Sequence, residues 1–201
     1  MDGPVRRVPF LGLTGGLGAG KSEALRALAD LGAATLSTDE VAHAVLESER
    51  AAVVARLGPE VAPGGRIDRS RVADRVFEDD DARAWLEALL WPRVGARVAA
   101  WREETMAARP APRAAVVEVP LLFESGMEGA FDHTIAVVAE EDVREQRAAT
   151  RGHAAIGGRE RRQLSQGEKA QRADFTVRND GSVQELKQVL SRLLEKLESD
   201  S

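Results

Sequence analysis

The residues best suited to chemistry lie near the N-terminus, in the segment GGLGAGKS that runs from Gly15 to Ser22. Four of the six residues from Gly15 to Gly20 are glycine, and a lysine and a serine follow directly. The spacing fits G-x-x-x-x-G-K-[ST], with an apolar segment before it and a helical pattern after it. Successive backbone N–H groups in such a loop form a concave nest for an anion, and the helix N-terminus adds partial positive charge. The pattern therefore predicts a loop that binds the phosphates of a nucleoside triphosphate.

Within this glycine loop, the side chains and the backbone have separate predicted tasks. Lys21 is expected to bridge the β- and γ-phosphates, and the Ser22 hydroxyl is expected to bind Mg²⁺. The backbone N–H groups of Ala19 and Glu23 are expected to face phosphate oxygens. The predicted nucleotide-binding residues of the loop are Gly15, Gly16, Gly18, Ala19, Gly20, Lys21, Ser22 and Glu23.

Three other interpretations of the glycine loop are weaker. A glycine-rich turn with an incidental lysine does not account for the strand before it and the helix after it. A dinucleotide-binding loop needs G-x-G-x-x-G, and Gly16 and Gly18 are followed by Lys21 where that pattern needs glycine. The guanine-reading sequence Asn-Lys-x-Asp of GTPases is absent from the chain, which argues against a GTPase switch.

Asp39 is a second candidate for chemistry, at the end of the second predicted strand in ATLSTDEVAH. In parallel α/β sheets, ligands bind at the carboxyl ends of the strands, and the first predicted strand ends in the glycine loop. A carboxylate beside that loop could accept a proton from an attacking hydroxyl group or hold Mg²⁺ through water. Asp39, or Ser37 or Thr38 beside it, could equally cap the following helix. The position alone leaves both interpretations open.

The elements that must position these residues alternate between strands and helices. The predicted strands are residues 8–14, 33–37, 114–122, 134–139 and 174–178, and the predicted helices are residues 22–31, 39–50, 79–106, 142–151 and 182–197. An interruption is expected in the long helix near Pro92, a loop over residues 57–65, and a capping box of Ser182 and Glu185 at the last helix. Because nearly continuous apolar strands between helices indicate a parallel sheet covered on both faces, the predicted fold class is α/β.

The composition narrows the class of protein. The chain has 201 residues, of which 43% are hydrophobic and 30% are charged, as in a folded α/β domain. Its net charge of −5 argues against a protein that binds nucleic acid. The absence of cysteine excludes disulfides, thiolate catalysis and cysteine-ligated zinc. No apolar run approaches the ~20 residues of a membrane span, and the first residues do not form a signal peptide, so we expect a cytoplasmic protein.

Arginines are concentrated in one segment after the fourth predicted strand. They are Arg144, Arg147, Arg151, Arg159, Arg161, Arg162 and Arg172. They could form a lid that closes over the nucleotide, because planar guanidinium groups suit the spread charge of a transferring phosphoryl group. The alternatives are a solvated helical face, and an arm that binds RNA, which the lack of stacking aromatic residues disfavours. Arg147 and Arg151 are the favoured functional members.

The tryptophans and histidines give weaker signals. Trp85, Trp91 and Trp101 all lie in the long helical segment, where packing is the favoured explanation and an apolar wall for a substrate is the alternative. The three histidines do not have the spacing of a metal site.

Four segments, in their order and spacing, resemble the dephospho-CoA kinases: LTGGLGAGKS, STDEVAH, VPLLFESG and QRADFTVRNDGS. The resemblance extends from about Leu11 to the closing helix, and its most particular parts are Val119–Glu124 and Gln166–Ser182. It implies transfer of the γ-phosphate of ATP to the ribose 3′-hydroxyl of dephospho-CoA, the last step of coenzyme A synthesis. It also implies the three-layer fold of P-loop kinases, with a five-stranded parallel sheet, a helical substrate-binding insertion, a small lid, and ATP and Mg²⁺ as cofactors.

The resemblance assigns roles to individual residues. Asp39 matches the general base of the family, and Glu118 matches an acidic residue that helps to order the waters of Mg²⁺. The loop that lines the substrate pocket matches Pro120, Leu121 and Leu122. The remaining matches are Arg147 and Arg151 at the start of the lid, Arg159 and Gln163 at its return, and Asn179 near the adenine of ATP. The implied catalytic residues are Asp39, Lys21 and Arg147.

The chain departs from the pattern of the family at three places. Ser37 replaces the first aspartate of an Asp-x-Asp sequence, and a serine does not supply a carboxylate. Trp91 replaces the histidine of a His-Pro sequence, and it remains a candidate substrate contact. The implied lid between Arg151 and Gln163 is shorter and richer in glycine than is usual.

The domain organisation implied by the resemblance has three parts. Residues 1–44, 111–143 and 173–201 form the nucleotide-binding core, residues 45–110 the substrate-binding insertion, and residues 144–172 the lid. The expected partner is the small molecule dephospho-CoA, with no nucleic acid and no membrane, and the expected state is a monomer or weak homo-oligomer. The alternatives are another small-metabolite or nucleoside kinase of the same architecture, and a regulatory module that binds ATP without phosphorylating a metabolite.

Overall fold

The computed structural model describes residues 7–77, 79–150 and 163–199, with the side chains of residues 148–150 left out. Its strands are Phe10–Gly15 (β1), Ala34–Ser37 (β2), Ala115–Glu118 (β3), His133–Val138 (β4) and Phe175–Arg178 (β5). Its helices are Lys21–Asp30 (α1), Thr38–Ser48 (α2), Arg50–Leu57 (α3), Arg69–Phe77 (α4), Asp80–Ala107 (α5), Glu141–Thr150 (α6), Gln166–Arg172 (α7) and Val183–Ser199 (α8). Short 3₁₀ turns cover Pro59–Val61, Pro63–Gly65 and Glu128–Ala130.

The strands form one five-stranded sheet in the order β2-β3-β1-β4-β5. Strand β1 pairs in parallel with β3 and β4, and β4 pairs in parallel with β5. All six residues of β1 are buried, which explains why its sequence is a continuous apolar run rather than an alternating one. The predicted five-stranded parallel α/β fold is confirmed. Its central strand, β1, leads directly into the glycine loop.

The chain divides into two compact units, residues 1–36 with 102–201 and residues 37–101. In the first unit, α1 and α8 pack against the sheet, with Leu28, Leu190 and Leu194 fully buried beside β1 and β4. In the second unit, α2 to α5 share a separate core. Its buried members are Leu46, Val53, Leu57, Val61, Ile67, Val72, Ala82 and Leu86.

Helix α5 shows that one sequence prediction was wrong. The expected interruption near Pro92 does not occur, and the helix runs without a break for 28 residues with the proline inside it. Leu86 before the proline and Val94 after it are both buried. Packing on both sides of Pro92 holds the two halves in one helix, and it outweighs the loss of one backbone hydrogen bond.

Smaller differences have local causes. The strand predicted over residues 114–122 ends at Glu118, and the chain turns at Pro120, which has no N–H to continue a ladder. The helix predicted over residues 39–50 ends at Ser48, and α3 starts at Arg50. Helices α3, α4 and α7 were not predicted, because each is under ten residues long and short helices give a weak signal in the sequence.

The capping box predicted at α8 is confirmed. The Ser182 N–H donates to Glu185 Oε2 at 2.7 Å, and the Glu185 N–H donates back to Ser182 Oγ at 3.3 Å. Helix α7 starts with a second capping box, formed by Ser165 and Glu168. Along the described ranges, no helix is long and apolar enough to cross a membrane.

Candidate active site

The glycine loop lies at the carboxyl end of β1, in the middle of the sheet, and α1 begins at Lys21. Because β1 lies between β3 and β4, the carboxyl ends of those strands flank the loop. The first residue of the helix follows Gly20 without a side-chain cap. The N–H groups of the first turn of α1 are therefore not satisfied by a capping side chain, as an anion-binding helix end requires.

Two glycines of the loop are required by their protein neighbours as well as by phosphate. Gly18 has a φ of +76°, and a Cβ atom there would lie 2.6 Å from the carbonyl oxygen of Arg144. Gly20 has a φ of +91°, and its Cβ would lie 2.1 Å from Nδ2 of Asn179. Both positions combine a left-handed backbone with a contact that leaves no room for a side chain.

Lys21 reaches back across the loop. Its Nζ atom donates to the carbonyl oxygens of Gly15 and Gly16, each at 3.1 Å. The ammonium group is thereby held over the loop that is predicted to receive phosphate. This position suits a cation that bridges phosphate oxygens.

Asn179, the residue after β5, holds the loop through a side-chain hydrogen bond. It is 2% exposed, and its Nδ2 atom donates to the carbonyl oxygen of Ala19 at 3.0 Å. The backbone carbonyl oxygen of Asn179 accepts a hydrogen bond from Nη1 of Arg147 at 2.8 Å. The structure therefore brings together Arg147, Asn179 and the loop, three features that the sequence placed in distant segments. The predicted contact of Asn179 with adenine stays a prediction.

Arg144 is a support that sequence reasoning did not single out from the other arginines. It is 5% exposed, and its Nε atom donates to the carbonyl oxygen of Leu17 at 2.9 Å. Its Nη1 atom pairs with Glu141 at 2.7 Å, three residues earlier on α6. Only the Glu141 spacing is visible in the sequence, and such a pair is common on exposed helices. The contact with Leu17 depends on how α6 packs beside the loop.

Ser22 and Glu118 carry the oxygen atoms that the sequence predicts to bind Mg²⁺, the first directly and the second through water. Ser22 is exposed on the first turn of α1. Glu118 is the last residue of β3, 6% exposed, and lies in parallel register with Leu13 of β1. A hydroxyl and a carboxylate are hard oxygen donors, and Mg²⁺ is usually bound by one or two such groups together with substrate phosphates. The donor set of this end of the sheet fits the ion.

The Pro120 turn follows β3 beside the loop. The hydroxyl of Thr14, the residue before the glycine loop, donates to the carbonyl oxygen of Pro120 at 3.2 Å. Pro120 and Leu121 are half-buried, whereas Leu122 is fully buried. Leu122 packs against β1, with its Cδ2 atom 3.2 Å from the position of a Cβ on Gly12. Of the three residues of this turn that are predicted to bind substrate, Pro120 and Leu121 are therefore the accessible ones.

The remaining predicted site residues belong to the second unit or fall outside the described residues, apart from Gln163. Asp39 and Trp91 belong to the second unit, with Asp39 exposed on the first turn of α2 and Trp91 52% exposed on α5. Ser37 is the N-cap residue of α2, without a side-chain capping bond. Arg151 and Arg159 lie outside the described residues, and Gln163 is the half-buried residue at which the description resumes.

Comparison with known proteins decides the family. The model of the dephospho-CoA kinase family matches residues 9–185. The chain belongs to the dephospho-CoA kinase family. A dephospho-CoA kinase from Anaeromyxobacter dehalogenans is 40% identical over 193 residues, which cover 92% of this chain and 90% of that one. One from Deinococcus radiodurans is 39% identical over 194 residues, covering 94% and 92%.

Solved structures agree with the assignment to the dephospho-CoA kinase family. TT1252 from Thermus thermophilus superposes with a TM-score of 0.80 at 32% identity, over 95% of this chain and 98% of that chain. The dephospho-CoA kinase from Campylobacter jejuni has a TM-score of 0.68 at 22% identity, over 94% and 97%, and supports the fold. As a member of this family, the chain is an enzyme, a kinase that uses ATP.

Proposed function

We propose that the glycine loop binds ATP and that the γ-phosphate passes to the ribose 3′-hydroxyl of dephospho-CoA. The reaction is the ATP-dependent phosphorylation of dephospho-CoA in coenzyme A synthesis, the activity of the family to which the chain belongs. One observation carries the proposal: in a chain whose family match covers residues 9–185, the glycine loop lies at the centre of the sheet with Lys21 across it.

Binding of the triphosphate is assigned to the backbone of the glycine loop and to the start of α1. N–H groups of the segment from Gly15 to Ser22 supply donors, although those of Ala19 and Glu23 donate to the carbonyl oxygens of Gly16 and Gly20 in this structure. The helix end, which has no side-chain cap, adds partial positive charge. We assign Lys21 to the β- and γ-phosphates, where its charge stabilises the transferring group. Asn179 and Arg144 keep the loop in shape through the carbonyl oxygens of Ala19 and Leu17.

Ser22 is assigned as the direct ligand of Mg²⁺, and Glu118 is assigned to its water shell. When bound, the ion neutralises the oxygens of the β- and γ-phosphates. The chain holds one of these oxygen donors on the first turn of α1 and the other at the end of β3, the strand beside β1, so that the ion and the phosphates are placed together.

Asp39 is assigned as the general base that accepts the proton of the 3′-hydroxyl. Its exposed carboxylate on the first turn of α2 is free to meet a substrate, and its match to the family aspartate supports the role. Proton removal by a positioned carboxylate contributes to the rate, whereas most of the remaining catalysis in phosphoryl transfer comes from positioning and charge.

Arginine is assigned the role of stabilising the negative charge that develops on the transferring phosphoryl group. The assignment of Arg147 is supported by the hydrogen bond from its Nη1 atom to the backbone carbonyl of Asn179, the residue that binds the glycine loop. Arg151 shares this assignment from the sequence, in the segment outside the described residues. A planar guanidinium suits three spread equatorial oxygens better than an ammonium group does.

The division into core, insertion and lid, with the bounds given by the sequence, is part of the proposal. We also propose that dephospho-CoA contacts Pro120 and Leu121 in the core and Trp91 in the insertion. The proposed location is the cytoplasm, and the proposed state is a monomer or weak homo-oligomer.

The experiment that tests the proposal measures ADP release with Mg-ATP in a coupled assay. Dephospho-CoA is compared with shikimate, gluconate, pantothenate and nucleoside monophosphates, and the product is analysed by mass spectrometry. The expected result is one added phosphate on dephospho-CoA alone, at the 3′ position. Turnover of another acceptor would instead support a different small-metabolite kinase. Tight ATP binding with no turnover of any acceptor would support a regulatory module.

A further inference from the structure

Lys169 is a fully buried lysine that the proposed chemistry does not use. It lies on α7, is 0% exposed, and is the largest of the completely buried side chains in the described part of the chain. Removing an ammonium group from water costs several kcal/mol unless it is paired and hydrogen-bonded. The contacts of its Nζ atom therefore indicate which part of the structure the buried ammonium group serves.

The Nζ atom has two partners on the segment that follows β3. It donates to the carbonyl oxygen of Pro120 at 2.6 Å and pairs with Oε1 of Glu124 at 3.0 Å. The same Oε1 atom accepts a hydrogen bond from the Leu164 N–H at 2.8 Å. The buried ion pair thus links the Pro120 turn to the residues that precede α7.

The Pro120 carbonyl is held from two sides. Thr14 Oγ1 donates to it from β1, and Lys169 Nζ donates to it from α7. A peptide unit is planar, so fixing this carbonyl also fixes the opposite direction of the Leu121 N–H. The peptide between Pro120 and Leu121 is consequently set with respect to the strand that enters the glycine loop.

Helix α7 is itself held firmly enough to serve as an anchor. The Gln166 side chain makes two hydrogen bonds with the backbone of Ala139, donating to its oxygen at 2.8 Å and accepting from its nitrogen at 3.2 Å. The capping box of Ser165 and Glu168 fixes the first turn. Lys169 therefore acts from a defined position rather than from a mobile surface helix.

We propose that Lys169 is a positioning residue for the acceptor substrate, which it serves by fixing the Pro120–Leu121 peptide through the Pro120 carbonyl. The inference rests on the proposed contact of Pro120 and Leu121 with dephospho-CoA. A buried ion pair adds little to stability compared with apolar residues of similar volume, whereas a charge-assisted hydrogen bond fixes the direction of a carbonyl strongly. Lys169 acts on the acceptor side of the reaction and does not contact ATP.

Three variants test the proposal. Lys169→Met removes the donor and leaves the carboxylate of Glu124 buried, with its Oε2 atom already lacking a hydrogen-bond partner among the described residues. Lys169→Met combined with Glu124→Met removes both charges and keeps a folded comparison if the single variant is too unstable. Lys187→Met is the matched control, because Lys187 forms its ion pair with Asp30 on the surface of α1 and α8.

The kinetic readout separates positioning from stability. Lys169→Met and the double variant are both expected to raise the KM for dephospho-CoA about tenfold, as for one lost charge-assisted hydrogen bond. The KM for ATP and the values of the Lys187→Met control should stay within about twofold of wild type. The double variant should recover melting temperature without recovering the KM for dephospho-CoA. Recovery of both together would reduce Lys169 to a structural residue and overturn the proposal.

A second readout does not depend on activity. Amide hydrogen exchange over residues 119–127 is expected to be at least about tenfold faster in the double variant than in wild type and in Lys187→Met. Unchanged exchange there would overturn the proposal, whatever the kinetics. If wild type does not phosphorylate dephospho-CoA at all, the proposed function fails, and the exchange data alone decide whether Lys169 fixes the turn.

Discussion

The side-chain amide of Asn179 donates to the carbonyl oxygen of Ala19 at 3.0 Å, across 160 positions of sequence. Because the peptide unit is planar, this bond also sets the direction of the Gly20 N–H, one of the donors expected to face phosphate. Arg144 acts in the same way on the peptide between Leu17 and Gly18. The shape of the glycine loop is therefore fixed by residues from α6 and from the end of β5.

Replacing Asn179 with Asp is expected to weaken ATP binding. The change puts a carboxylate oxygen in place of the Nδ2 donor, opposite the Ala19 carbonyl, in a site that is buried. We expect the Kd for Mg-ATP to rise about tenfold or more, with a lower melting temperature. Isothermal titration calorimetry measures the first and thermal unfolding the second. Gln188→Glu, the same change of group on the exposed face of α8, should alter neither. Unchanged ATP affinity in Asn179→Asp would show that the loop does not need this clamp.

Replacing Gly18 with Ala is expected to distort the loop without unfolding the protein. The new Cβ would lie 2.6 Å from the Arg144 carbonyl, at a φ of +76° that alanine adopts poorly. We expect at least about a tenfold loss of ATP affinity in calorimetry. Gly95→Ala is the control, because a Cβ there meets no atom within 4 Å and alanine favours the helix. Wild-type affinity in Gly18→Ala would contradict the argument from close approach.

Replacing Lys21 with Ala is expected to remove most turnover. The ammonium group that lies 3.1 Å from both the Gly15 and Gly16 carbonyls is the cation assigned to the transferring phosphate. We expect kcat to fall on the order of 100-fold or more in the coupled ADP assay. Lys187→Ala removes a lysine that pairs with Asp30 at 2.6 Å, and it should keep a wild-type kcat. A Lys21→Ala enzyme with near-normal kcat would eliminate this role.

What the sequence predicted well is local. The glycine loop, β1 and the capping box of α8 are each defined by neighbouring residues, and each lies where the pattern placed it to within a few residues. The parallel sheet follows as well, because apolar strands that alternate with helices leave few other arrangements. A structural feature that is formed by residues adjacent in sequence can be predicted from that sequence segment alone.

What the sequence did not predict depends on distant contacts. Arg144 looked like any other arginine of α6, and its bond to Leu17 spans 127 positions. Lys169 lies in a helix of seven residues, too short to show an apolar repeat, and its buried state exists only through Glu124 and Pro120. At Pro92, packing of both flanking segments outweighed the local signal for a break. In each case tertiary contacts decided the outcome.

The two capping boxes make stability depend on pH in the acid range. Hydrogen bonds from the Ser182 backbone and hydroxyl lower the pKa of Glu185, and those from the Ser165 hydroxyl and backbone lower the pKa of Glu168. A carboxyl group with a lowered pKa in the folded state stabilises fully above its unfolded-state pKa. This contribution is lost as the pH falls through the folded-state pKa, which lies below the ordinary value of 4.5.

Replacing Glu185 with Gln should therefore lower the melting temperature at pH 7 by about 1–3 °C. The difference from wild type should shrink as the pH falls below the unfolded-state pKa of Glu185, and it should vanish once the pH has passed below the lowered folded-state pKa, where the glutamate is uncharged in both states. Thermal unfolding followed at several pH values measures this. Glu103→Gln, at an exposed carboxylate of α5, serves as the control and should follow wild type throughout. A constant difference between Glu185→Gln and wild type from pH 7 to pH 3 would rule out the charge as the cause.

Replacing Asp39 with Asn should separate chemistry from binding. The amide keeps the size of the side chain on the first turn of α2 but does not accept the proton of the 3′-hydroxyl. We expect kcat to fall by about 10²–10⁴-fold, the usual contribution of a general base, while the Kd for Mg-ATP stays within about threefold. Glu40→Gln is the matched control, because Glu40 is the next residue on the same turn and is also exposed. If ATP binding collapses in Asp39→Asn and the rate of transfer at saturating ATP survives, Asp39 holds the metal or the fold rather than the proton.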